Sequence, residues 1–210
     1  MRMHKKQRSR GVAVIEFAFS LSFLIPLLLG AFVFGFRLIH SLEMEQIVRD
    51  LGHMYVRGVD FRNPGPQANA RTLASSFDLS ANGTSLVILS KVRVVTQADC
   101  DANNAAPGTH CTNLGNPVFV EQMTIGNTSL TSAGENIAYS VFGTPPLQAD
   151  NTVRSADQAN NSAAAANGFS NTMTLNPGEY AFVVEMRNAT PDLNIPGLSG
   201  SPQVYARSIF

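Results

Sequence analysis

Residues Gly11 to Phe36 read GVAVIEFAFSLSFLIPLLLGAFVFGF, and the rest of the chain is read outward from them. After Gly11, the 25 residues to Phe36 hold a single charge, Glu16, and sixteen of them are Val, Ile, Leu or Phe. About 20 predominantly apolar residues suffice for a helix to cross a bilayer. Sixteen such side chains contribute roughly −5 to −10 kcal/mol to insertion, whereas an acidic residue at the helix centre costs about 3 kcal/mol. Glu16 lies nearer one end, so insertion wins. A carboxylate in such a segment calls for a partner and marks a functional position. In front of Gly11 stands MRMHKKQRSR, with Arg2, Lys5, Lys6, Arg8 and Arg10 and no acid. The positive-inside rule assigns that end to the cytoplasm and everything after residue 40 to the other side.

Pro26 falls inside the apolar run, where it frees a backbone carbonyl one turn earlier and is expected to kink the helix. Ala31 and Gly35 form a small-xxx-small pair that lets another helix approach. Beyond the run, Leu38, Leu42, Ile47, Val48, Leu51, Met54, Tyr55 and Val59 recur at helical spacing, with Glu43, Glu45, Arg49, Asp50 and Arg57 on other faces. This predicts an amphipathic helix over 37–62, continuous with the membrane span and ended by Gly58 and the NPGP of 63–66.

The basic leader, Gly11, the GVAVIEFAF motif and the carboxylate five residues after Gly11 resemble the class III signal of prepilins and pseudopilins. Within that group the chain looks most like the TadE-like family, minor pseudopilins of the tight-adherence (Flp) pilus. The resemblance covers about residues 8–36 with specificity, 41–60 more weakly, and the C-terminal VYARSIF loosely. It implies that a prepilin peptidase cuts between Gly11 and Val12. It further implies that Glu16 is the family's acid, Phe17 the aromatic that follows it, and the protein a pilus-assembly subunit of the bacterial inner membrane. Other pilins and pseudopilins, the inner-membrane assembly platform and the lipid bilayer are the partners it implies. Pro26 stands ten residues after Glu16, later than in typical members. Cutting after Gly11 exposes an ammonium on Val12. Side by side in a membrane or filament, that charge on one subunit and Glu16 on its neighbour offset one another's burial.

The remainder, 63–210, reads as an exported α+β head. A short helix is expected over 67–79, closed by the Asn82-Gly83 turn. Strands are expected over 85–96, 118–125, 180–188 and 203–210, while 136–143 is ambiguous between strand and helix. The expected fold class is α+β: a long membrane-spanning helix continues into an amphipathic helix packed on a small antiparallel sheet. Cys100 and Cys111 bracket a turn-rich loop. Outside the cytoplasm such a pair forms a disulfide, and two cysteines with His110 fall short of a structural zinc site. Residues 144–178, rich in Asn, Ala and Ser, are expected to be a long exposed loop, disordered-like in composition.

Composition narrows the function. Five of the fifteen Lys and Arg lie in the leader, so the chain without residues 1–11 is acidic, which argues against a nucleic-acid partner. A cleaved secretory signal has a 7–15-residue apolar core and a small-residue site, and neither is found here. Nucleophile-elbow, zinc-protease, P-loop and dinucleotide motifs are lacking, and four scattered histidines suggest no metal pair. The expectation is a structural assembly protein, not an enzyme, with no cofactor and no metal. The alternative from another class is a membrane-anchored extracytoplasmic binding module that enters no pilus.

Overall fold

The computed structural model describes residues 8–104, 108–132, 134–189 and 203–210. Residues 1–7 of the expected leader and 105–107 of the cysteine loop lie outside the described residues. The first helix, α1, is Arg8–Val56, and it runs through Pro26. The chain divides within it into two units, Met1–His40 and Ser41–Phe210.

The second unit is an α+β domain built on a four-stranded antiparallel sheet. Its strands are β1 (Ser85–Val94), β2 (Pro117–Gly126), β5 (Tyr180–Ala189) and β6 (Gln203–Ile209), in spatial order β2-β1-β5-β6. Strands β3 (Thr131–Ser132) and β4 (Glu135–Asn136) form a separate short ribbon. Alternation along each strand separates two cores. On one face, Val87, Leu89, Met123, Ile125, Val184, Met186 and Ala206 cluster with Met44, Ile47, Val48, Leu51 and Tyr55 of α1. On the other, Val92, Phe119 and Val183 cluster with Phe142, Val153 and Phe169. A bulge sets this division. Lys91 pairs with Glu121 but Val92 pairs with Phe119, so Val120 is the extra residue. One added residue flips the side-chain alternation, which turns Phe119 away from α1 and into the second core.

Local chemistry explains where the helices stop. Gly58 has φ +84°, and the Gly58 and Val59 amides donate to the carbonyls of Tyr55 and Met54. This is the paired 5→2 and 6→1 pattern in which glycine supplies a left-handed residue after a helix. The NPGP segment does not close α1 as expected. It opens α2 (Pro64–Leu73), with Asn63 at the N-cap and proline in the first turn, where a missing N–H costs nothing.

Residues 144–178 depart most from expectation. They hold helix α4 (Ser155–Asn160) and two short 3₁₀ turns, and they bury Val153, Ala159, Ala164, Ala166, Phe169 and Leu175. The segment lies over the second face of the sheet and along β2, where Thr152 bridges Glu121 and Ala165 bridges Val118. Its polar residues tie down backbone rather than loosen it. Asp150 accepts from the Thr152 amide and Asn161 from the Ala163 amide, and from outside the segment the buried Asn113 side-chain amide donates to the carbonyls of Gln158 and Asn161. Asn and Asp stabilise turns through such bonds, so a composition that reads as disorder here builds a covering layer. The ambiguous 136–143 is neither strand nor helix beyond Asn136. It crosses the sheet as bends and an isolated Ser140–Gly143 bridge.

Candidate functional site: the exposed apolar helix and the clamps of the head

Within Met1–His40, α1 is the one helix among the described residues long and apolar enough to cross a membrane, and its most apolar stretch has no buried residue. Val12, Glu16 and Phe17 are all exposed. Val12 and Glu16 are four apart and share a face. Ser20 and Ser22 donate their hydroxyls to the carbonyls of Glu16 and Ala18 at 2.9 Å. Their polar groups are thereby satisfied inside the helix, as an apolar surround requires. Further along, Leu24, Leu28, Ala31, Gly35 and Ile39 line an open apolar concavity. A Cβ added at Gly35 meets no atom within 4 Å. The structure thus brings Ala31 and Gly35 onto one uncovered face, while Gly11, Val12, Glu16 and Phe17 lie on the same helix nearer its start.

In the head, Cys100 and Cys111 are bonded, with Cα atoms 5.4 Å apart. Cys100 belongs to α3 (Gln97–Asn103), which opens with a capping box: the Thr96 hydroxyl accepts from the Asp99 amide while the Asp99 carboxylate accepts from the Thr96 amide. Partial burial works against the Asp99 charge. Hydrogen bonds from Thr96 and the Arg93 guanidinium, 2.9 Å away, overcome this and hold the carboxyl below its ordinary value.

A second clamp joins the end of α1 to β2. The Tyr55 hydroxyl donates to Glu121 Oε1 at 2.8 Å, and Arg62 pairs with the other oxygen of the same carboxylate. Burial, and then the negative charge of Glu121, push the Tyr55 phenol far above its ordinary range. It stays a neutral donor at any physiological pH. The clamp fixes the head to α1 residues 41–56 and offers no free nucleophile. Among the described residues no group of three or more His, Cys, Asp or Glu is placed to hold a metal ion.

Sequence reasoning missed a third cluster, Glu185, Arg187, Tyr205 and Arg207. Its signal was present. Glu185 and Arg187 are two apart on β5, Tyr205 and Arg207 two apart on β6, and each pair alternates with core residues. No family model matches the chain, and neither a curated protein nor a solved structure shows a match.

Proposed function

We propose that this chain is a pilin-like assembly subunit of the TadE type. The apolar part of α1 spans a bacterial inner membrane, the basic leader faces the cytoplasm and the head lies outside. A prepilin peptidase removes the leader after Gly11. One observation carries the reading: Glu16 is the single charge between Gly11 and Phe36, exposed on a helix with no covered face in that stretch. An isolated carboxylate in hydrocarbon is costly and functional by default. The Val12 ammonium of a neighbouring subunit, freed by the cut, is the partner that offsets it. The disulfide supports an oxidising compartment for the head. Glu16→Gln in the native cell tests the role. Pili seen by electron microscopy should be lost or sharply reduced, while the protein's level in the membrane fraction is unchanged. Normal piliation by the variant contradicts the reading.

A further inference from the structure

On the face of the sheet opposite α1, β5 and β6 bring together Glu185, Arg187, Tyr205 and Arg207. Glu185 stands directly across from Arg207 in the register. Opposite charges so placed ordinarily pair, yet no ion pair within 4.0 Å joins any of these four among the described residues. Glu185 is fully buried, and its Oε1 accepts instead from the Val141 amide at 3.0 Å and the Tyr205 hydroxyl at 2.8 Å. Its Oε2 is buried with no hydrogen-bond donor.

The carboxylate therefore holds Tyr205 and the crossing segment 139–142 in place, and the two guanidiniums are held by rings. Arg187 donates to the Tyr139 carbonyl and lies 5.1 Å from the Tyr139 ring centroid and 5.0 Å from that of Tyr205. Arg207 sits 4.9 Å over the Phe142 ring. Arg62, Arg93 and Arg154 each have an Asp or Glu within 4.0 Å. Arg187 and Arg207 have none among the described residues. Above them Arg207 is exposed, and Tyr139 and Val141 are 45% and 43% exposed. Alongside runs β6, which ends the sheet and has no described strand on its other side.

Rigid Tyr and Arg side chains, fixed before binding, are the usual anchors of protein interfaces. A planar guanidinium with no carboxylate of its own matches one supplied from outside. We propose that this patch docks an extended polypeptide segment carrying glutamate or aspartate: the acid meets Arg207, an apolar neighbour packs on Tyr139 and Val141, and backbone pairs along β6. The inference is independent of the pilin-like reading and holds for an anchored binding module as well.

The full chain in phospholipid nanodiscs, labelled at tyrosine rings and arginine side chains for NMR, is titrated with three blocked hexapeptides: alternating Val-Glu, Val-Gln and Val-Lys. Saturable shifts at Tyr139, Tyr205 and Arg207 are expected with the Glu peptide. The Gln peptide should bind at least about tenfold more weakly, and added salt should weaken the Glu peptide. Arg207→Glu should lose the Glu peptide and gain the Lys peptide. Tyr139→Ala should weaken the Glu peptide several-fold in a protein that still unfolds cooperatively. Equal binding of Glu and Gln peptides, retention of the Glu peptide by Arg207→Glu, or shifts confined to other residues would each overturn the proposal. So would equal shifts on adding inorganic phosphate or anionic vesicles, which would make the patch a general anion site.

Discussion

Gly52 is the residue of α1 on which the head closes. A Cβ built there would run into the Phe210 ring. That ring also meets His53 edge-on at 4.9 Å, while the Phe210 backbone exchanges two 3.0 Å hydrogen bonds with Phe182. Glycine in a helix interior ordinarily costs about 1 kcal/mol relative to alanine. Here its missing side chain makes the socket. Gly52→Ala should therefore destabilise by on the order of 1 kcal/mol, an overpacking cost larger than the propensity gain. In a Phe210→Ala background the same change should stabilise by about 1 kcal/mol. Chemical denaturation of the four proteins of this cycle measures the reversal of sign. Nothing in the spacing of 38–59 distinguished Gly52 from a weak point in the helix, because its partner lies at the far end of the sequence.

At the scale of elements, the strands of the sheet were legible because β-branched residues alternate between turn signals, and the disulfide because two cysteines bracket a short loop. The start of α2 was not, since proline serves equally to end one helix and open the next. The cysteine pair holds α3 against the hydrophobic cluster of Val95, Val118 and Ala159. Replacing both cysteines with serine should lower stability by roughly 3 kcal/mol, the entropy of an open loop of this length. Equilibrium unfolding of the variant against the oxidised protein checks the value. The Glu185 cluster escaped notice for a related reason. Nothing in the spacing of 180–188 shows that the register sets Glu185 across from Arg207 and beneath the Val141 amide.

For the whole molecule, the decisive correction is the layer formed by 144–178. Widely spaced small apolar residues and side-chain-capped turns give it no periodicity, so its composition alone suggested exposure. Phe169 is fully buried there and stacks edge-on with Phe142 at 5.2 Å between ring centroids. Phe169→Ala should cost about 3 to 5 kcal/mol, and limited proteolysis should then cut within 144–178 faster than it cuts the native protein. An unchanged digestion pattern would show that the layer does not depend on this anchor. The apolar helix presents the opposite arrangement: none of its side chains between Gly11 and Phe36 is buried, and one carboxylate, Glu16, stands among them with no ion pair among the described residues. The functional account depends on that carboxylate meeting a positive terminus made by proteolysis. Intact-mass and N-terminal peptide analysis of the protein extracted from its native membrane measures this most directly. The account predicts a chain that begins at Val12; a chain that keeps the MRMHKKQRSRG segment in cells that contain the processing peptidase would contradict it.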